Sequence, residues 1–244
     1  MEQAEFRDRR LVEVYDAEYR WSRDDDFFAA IVNERANARV VDLGCGTGRL
    51  AIGLARAGHR VTGIDPAHAS LDAARAKPDA HLVTWREGTA DDLPASAFDV
   101  VVMTSHVAQI FVSDDDWHRT LVALHRALTL AGTLVFDSRD PDDRRWEDWN
   151  PVDTWRLVEL PRGPVRVWTR LTDAVDGIVS FTHHYRFVDG LDLRSDLTLR
   201  FRSEDELRSS LDDAGFTVEH VYGGWGREPV GHPDGELLVV ARRR

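Results

Sequence analysis

A strand, a glycine cluster and a helix follow one another directly near the start of this chain, and this segment constrains the fold most. The run Arg39–Leu43 is rich in β-branched residues, glycines occupy positions 44, 46 and 48, and residues 48–57 read as a helix. Glycine permits a sharp turn and lets the backbone approach a ligand closely. The segment therefore predicts an α/β fold with a ligand-binding loop after its first strand.

Strand and helix signals continue to alternate through the first half of the chain. Further strands are predicted at Val61–Asp65, His81–Trp85, Phe98–Met103 and Thr133–Asp137, with helices at 68–77 and from Ser113 onward. The run Phe98–Met103 is apolar except for one aspartate, as expected where helices cover both faces of a sheet. This alternation predicts a doubly wound, mostly parallel sheet.

The pattern changes after Asp137. Four stretches at 154–160, 165–172, 178–188 and 193–201 look like strands joined by hairpin turns, and none has a helical period. A capping box at Ser203 then starts a helix, and strands follow at Phe216–Tyr222 and Glu236–Ala241. We therefore divide the chain into an α/β domain at 1–143, an antiparallel β insertion at 144–201 and a completion of the α/β domain at 202–244.

Composition excludes several classes of function. The 244 residues carry a net charge of −12, which disfavours nucleic acid and anionic membrane as partners. The single cysteine, Cys45, rules out a disulfide framework and a cysteine-based zinc site. No apolar stretch approaches the ~20 residues that cross a bilayer, and the charged N-terminus lacks a signal peptide's apolar core. We expect a soluble cytoplasmic protein, monomeric or homodimeric.

An acidic residue follows the glycine cluster at an informative distance. The second strand ends at Asp65, 19 residues after Gly46, where a carboxylate is placed to accept hydrogen bonds from ribose hydroxyls. A nucleoside-containing cofactor is therefore predicted. A dinucleotide fingerprint requires a third glycine, but Arg49 occupies that position.

The string Asp42-Leu-Gly-Cys-Gly-Thr-Gly48 instead resembles motif I of the class I S-adenosylmethionine (SAM)-dependent methyltransferases. The resemblance covers residues 36–137 and 203–241, and it implies a seven-stranded Rossmann-like sheet that binds SAM. It also implies roles for single residues. Asp42 orients the loop, Gly44 and Gly46 line the methionine moiety, Asp65 holds the ribose, and Pro66 packs on the adenine.

The resemblance extends to other predicted cofactor-binding positions. They are Cys45 and Gly48 of the glycine loop, Thr89 and Ala90 near the adenine, Thr104 beneath the methionine, and Tyr15 from an N-terminal helix. Threonine replaces the aspartate that the family usually has at position 89, so Asp91 or Asp92 is a possible substitute. Helix packing is an equally good explanation of Tyr15. Cys45 is interpreted as loop filler rather than as a nucleophile.

The sequence indicates the methyl acceptor less clearly, because methyl transfer depends on alignment of the donor and acceptor more than on a fixed catalytic triad. The resemblance implies a small-molecule acceptor, with N-methylation favoured over O-methylation and the insertion as its cover. His106 follows the strand that passes beneath the methyl group, so it is the predicted catalytic base. No metal site is expected. The alternatives are O-methylation of a phenol or acid, or a SAM-binding protein without transferase activity.

Overall fold

Strands and helices alternate through residues 39–139 of the structure, a computed structural model that describes residues 3–244. The strands are β1 (Arg39–Leu43), β2 (Arg60–Asp65), β3 (Val83–Glu87), β4 (Phe98–Met103), β5 (Leu128–Arg139), β6 (Arg156–Val158), β7 (Val165–Val175), β8 (Ile178–Phe187), β9 (Asp192–Arg200), β10 (Phe216–Tyr222) and β11 (Glu236–Arg243). The helices are α1 (Ala4–Arg7), α2 (Arg9–Glu18), α3 (Arg23–Asn33), α4 (Arg49–Arg56), α5 (His68–Arg75), α6 (Asp114–Ala127) and α7 (Glu204–Asp213). None of these helices is long and apolar enough to cross a bilayer.

The main sheet has seven strands in the order β10-β11-β5-β4-β1-β2-β3. Strand β11 runs antiparallel to both of its neighbours, and the other strand pairs are parallel. The predicted doubly wound, mostly parallel sheet is therefore confirmed. Since β1, β2, β4 and β5 are parallel and adjacent, their carboxyl ends meet at one edge of the sheet, where ligands bind in such folds.

Two apolar layers cover the two faces of this sheet. On one face, Trp117, Leu121 and Leu124 of α6 pack with Phe136 of β5. On the other face, side chains of α3 and α4 pack against β1 and β4. Trp117 and Phe136 are at most 1% exposed. Burying each such large side chain contributes roughly 1.5–3 kcal/mol, so the sheet edge is held on a rigid base.

Several strands differ in extent from the sequence prediction, and two of these differences have a clear structural cause. The third strand was predicted at His81–Trp85 but lies at Val83–Glu87, because a single helical turn at Ala80–Leu82 follows Asp79 in a left-handed conformation. The fifth was predicted at Thr133–Asp137, but β5 extends to Arg139 because its pairing with β11 continues as far as Glu236. The extra residues place Arg139 at the carboxyl edge of the sheet.

The insertion forms a separate antiparallel sheet in the order β6-β7-β8-β9. One part of it packs on the N-terminal helices, where Leu11 and Val14 of α2 contact Val165 and Val167 of β7 in a buried cluster. A second cluster includes Phe181 and is flanked by Phe6 and Ile110. The insertion therefore holds α1 and α2 against the α/β domain.

Candidate active site

A cavity of about 380 Å³ lies at the carboxyl ends of β1, β2 and β4. Its size falls in the range of small-molecule sites. Ten of the predicted cofactor residues line it: Tyr15, Asp42, Gly44, Cys45, Gly46, Asp65, Pro66, Thr89, Ala90 and Thr104. The structure thus brings together residues from five separate segments of the sequence. Gly48 and His106 do not line this cavity.

Two glycines of the loop lie so close to neighbouring side chains that no larger residue fits. Gly44 has φ +72°, and a Cβ there would lie 2.6 Å from Val107 Cγ2, so no larger residue fits. Gly48 has φ +77° and lies against the Trp85 ring, where a side chain would collide with the indole. Gly48 is therefore required for the turn into α4, at a position outside the cavity wall.

Asp65 ties the glycine loop to the end of β2. Its Oδ2 accepts a hydrogen bond from Gly46 N at 2.8 Å, and its Oδ1 accepts one from Ala67 N at 2.7 Å. Burial raises the pKa of Asp65, while these two hydrogen bonds act in the opposite direction. Each carboxylate oxygen keeps a free lone pair, so the group can accept further hydrogen bonds from a ligand in the cavity.

Asp42 presents a buried oxygen that lacks a partner. The residue is 1% exposed, and its Oδ1 has no hydrogen bond among the described residues. Burial, reinforced by the charge of Asp65, raises the pKa of Asp42 to about 7. Buried polar atoms are nearly always hydrogen-bonded in folded proteins. A donor such as the ammonium group of SAM, directly or through water, fits this position in the cavity wall.

The loop predicted to contact the adenine is well fixed. Thr89 N donates a hydrogen bond to Asp92 Oδ2 at 2.8 Å, which closes a capping box over residues 89–92. Asp92 is thus engaged in holding the loop, whereas Asp91 lines the cavity. Of the two acidic substitutes considered for the missing family aspartate, only Asp91 is in a position to reach a cofactor.

An aromatic lid closes the cavity from the N-terminal side. It consists of Phe6, Tyr15 and Tyr19, which all line the cavity. The ring centroid of Tyr15 lies 5.6 Å from that of Phe6 and 4.4 Å from that of Tyr19. Sequence reasoning found only Tyr15. The four-residue spacing between Tyr15 on α2 and Tyr19 directly after it was the available signal for Tyr19, whereas nothing in the sequence pointed to Phe6.

His106 lies beside the cavity in a cluster of buried polar groups. Its Nε2 is 3.0 Å from Glu236 Oε2 and 3.3 Å from Asp137 Oδ2, and its backbone N donates to Asp137 Oδ2 at 3.0 Å. Burial, assisted by the charge of Arg139, lowers the pKa of His106 to about 3. The imidazole is therefore neutral at physiological pH.

The two carboxyl groups of this cluster show the opposite shift. Burial raises the pKa of Glu236 to about 8 and that of Asp137 to about 6. At neutral pH the two carboxyl groups therefore hold protons more strongly than exposed carboxyl groups do. The three groups form one proton-holding unit, which sequence reasoning about His106 alone did not identify.

The same three residues offer metal-ligand atoms within 4.8 Å of one another. No metal site was expected, because the sequence contains no motif with metal-ligand spacing. Imidazole and carboxylate donors suit several divalent cations. The hydrogen bonds among the three groups account for the arrangement equally well. A second such group in the described chain, Glu228, His232 and Asp234, is partly exposed.

The insertion contributes none of the residues that line the cavity. Its aromatic side chains mostly pack on one another, with Trp149 4.5 Å from Phe181 and Trp146 4.7 Å from Phe201 between ring centroids. The insertion, which was predicted to cover the acceptor, therefore does not line this cavity. Trp149 nevertheless covers the guanidinium of Arg139, at 5.6 Å from Cζ to the ring centroid.

Comparison with known proteins agrees with this geometry. Residues 40–132 match a family model described as a methyltransferase domain. The cypemycin N-terminal methyltransferase of a Streptomyces species is 29% identical over 215 residues, which cover 84% of this chain and 83% of that protein. A methyltransferase of Geobacillus sp. (strain WCH70) is 32% identical over 102 residues, and this match spans only 41% of that relative.

Solved structures show the same fold over nearly the whole chain. The CcbJ methyltransferase of Streptomyces caelestis superposes with a TM-score of 0.81 at 22% identity, over 99% of this chain and 98% of that one. The sugar N-methyltransferase KedS8 of a Streptoalloteichus species gives 0.73 at 21% identity, over 91% and 87%. Residues 40–132 therefore carry a methyltransferase domain, and the chain as a whole has the fold of these solved methyltransferases.

Proposed function

We propose that the chain transfers the methyl group of SAM to a nitrogen atom of a small molecule. The observation that supports this most is the proton-holding cluster of His106, Asp137 and Glu236 beside the cofactor cavity. An amine acceptor arrives largely as an ammonium ion and has no free lone pair until it loses a proton. A relative named for N-terminal methylation and a neighbour named for sugar N-methylation favour the same chemistry.

The cofactor would be held by the residues of the cavity wall. Asp65 accepts hydrogen bonds from the ribose hydroxyls, Asp42 accepts one from the ammonium group, and Asp91 faces the adenine. SAM supplies an electrophilic methyl group when bound. The tyrosines of the lid exclude water from the sulfonium end, so an incoming lone pair meets the methyl group without a competing solvent molecule.

The acceptor's proton would pass to the buried cluster. The Asp137 carboxylate takes the proton directly or by way of the imidazole of His106, which would leave the nitrogen lone pair free for methyl transfer. In this role His106 relays a proton rather than acting as an isolated base, because burial holds its own pKa at about 3. The insertion is assigned an indirect part as acceptor cover: it fastens the lid helices and places Trp149 over Arg139.

Incubation with radiolabelled SAM and a panel of small amines, phenols and carboxylic acids tests this function. Label should appear on amines, and Asp137→Asn should lower kcat by roughly 10²–10⁴-fold while SAM affinity stays unchanged. Glu219→Gln, an equivalent change at the surface, is the control. Label on phenols alone would favour the O-methylation alternative. Tight SAM binding without turnover on any class would favour a binding protein.

A further inference from the structure

Arg139, at the carboxyl end of β5, is a cation without an ion pair in the described part of the chain. No salt bridge joins it to a carboxylate in the described residues. Glu236 nevertheless lies opposite Arg139 on β11, and Asp137 lies two residues before it on β5. Both of those groups are directed at His106 instead. Burial lowers the pKa of Arg139, against the favourable charge of Glu236. An arginine keeps its charge under these conditions, so the charge needs a partner.

The guanidinium is nevertheless held in a fixed position. Its Nη1 donates a hydrogen bond to Gln109 Oε1 at 3.0 Å. Gln109 is fully buried, and its Nε2 lies 3.5 Å from the carbonyl oxygen of Arg200, which sets the direction of its amide. Trp149 covers one face of the guanidinium. The remaining donors, on Nε and Nη2, have no hydrogen-bond partner among residues 3–244.

Arg139 is linked to the wall of the cofactor cavity through Gln109. The residue that follows Gln109 in the chain, Ile110, lines the cavity. Glu236 pairs with Arg139 across β5 and β11, and its Oε2 lies 3.0 Å from His106 Nε2. Arg139 and the proton-holding cluster are therefore adjacent at the carboxyl edge of the sheet.

We propose that Arg139 binds an anionic oxygen group, a carboxylate or a phosphate, carried by the methyl acceptor. A planar guanidinium with two adjacent free N–H groups matches such an anion in a bidentate arrangement. The inference rests on the proposed transfer to a small-molecule amine and narrows its class. With the amine at the Asp137 cluster and the anion at Arg139, the acceptor is an amino acid or an amino phosphate compound.

Fluorine NMR tests the anion site without requiring turnover. Trifluoroacetate, monofluorophosphate and neutral trifluoroethanol are added separately to protein saturated with S-adenosylhomocysteine. Line broadening is expected for at least one anion and not for the alcohol, and comparison of the two anions distinguishes carboxylate from phosphate. Arg139→Gln should weaken the binding by about tenfold or more. Arg166→Gln, at an exposed position on the insertion, should leave it unchanged.

Equal broadening in wild type and Arg139→Gln, or no broadening by either anion, would overturn the inference. If the glutamine variant does not fold, Arg139→Lys replaces it. Lysine retains the charge but lacks the paired N–H donors of the guanidinium, so this variant should still bind the anion more weakly than wild type. A second measurement uses labelled SAM with a metabolite extract. The labelled product should be retained on an anion exchanger at a pH where its amine is neutral.

The two proposals fail in different ways. A labelled amine that passes through the exchanger would contradict the Arg139 assignment and leave N-methyl transfer intact. Arg139-dependent anion binding without any label transfer would contradict the proposed function alone.

Discussion

Replacing Asp65 by asparagine should weaken SAM binding far more than it destabilises the fold. The carboxylate accepts hydrogen bonds from Gly46 N and Ala67 N and is proposed to accept two more from the ribose. Charge-assisted hydrogen bonds contribute roughly 1.5–3 kcal/mol each. An asparagine keeps one oxygen and turns its NH₂ group toward one backbone donor. Partial loss of the two ribose hydrogen bonds should cost about 3 kcal/mol of binding free energy, which raises the dissociation constant about 100-fold.

Isothermal titration with SAM measures this change, and thermal unfolding of the cofactor-free protein monitors the fold. Asp79→Asn is the matched control, because Asp79 is partly exposed and its left-handed backbone tolerates asparagine. We expect its SAM affinity to equal that of wild type. An Asp65→Asn protein that binds SAM as tightly as wild type would refute the ribose assignment, and a preference of wild type for NAD over SAM would refute the choice of cofactor.

Leu11→Ala should lower the free energy of unfolding by about 2–5 kcal/mol, because Leu11 is fully buried under the insertion. Since its helix carries Tyr15, the change should also weaken SAM binding in calorimetry, and unchanged affinity would show that the lid does not need this contact. Burial raises the pKa of Glu5 from 4.5 to about 7, so the folded state gains a proton that the unfolded state releases. The unfolding free energy should therefore fall as pH rises from 5 to 8 in urea titrations, and Glu5→Gln should flatten that slope; an unaltered slope would exclude Glu5 as a cause. Gly48→Ala should lower the melting temperature, because the added methyl group meets Trp85 at a positive φ; a melting temperature equal to that of wild type would contradict this packing.

Features that depend on neighbouring residues in the sequence were predictable. The strand–glycine–helix segment gave Asp42, Gly44 and Gly46, and the rule that ligands bind at the carboxyl ends of parallel strands added Asp65. All four line one cavity. Local chemistry was sufficient here because each residue sits at the end of a strand whose neighbour in the sheet is also near in sequence.

Features that depend on distant segments were not predictable. Glu236 meets His106 only because β11 pairs antiparallel with β5, which brings together residues 130 positions apart. The same pairing extends β5 to Arg139, whereas the sequence pattern predicted that this strand ends at Asp137. Gly48 was predicted to bind the cofactor together with the other glycines of the loop, and its packing against the Trp85 ring could not be predicted from the loop sequence.

A crystal structure of the protein with S-adenosylhomocysteine bound would test the central claim most directly. We predict that the nucleoside fills the cavity of about 380 Å³, with both ribose hydroxyls within hydrogen-bonding distance of the Asp65 carboxylate and the amino group of the ligand on Asp42 Oδ1. The sulfur should face Thr104, toward His106. A ligand bound elsewhere, or one whose ribose does not contact Asp65, would contradict the assignment of this cavity as the methyl-donor site.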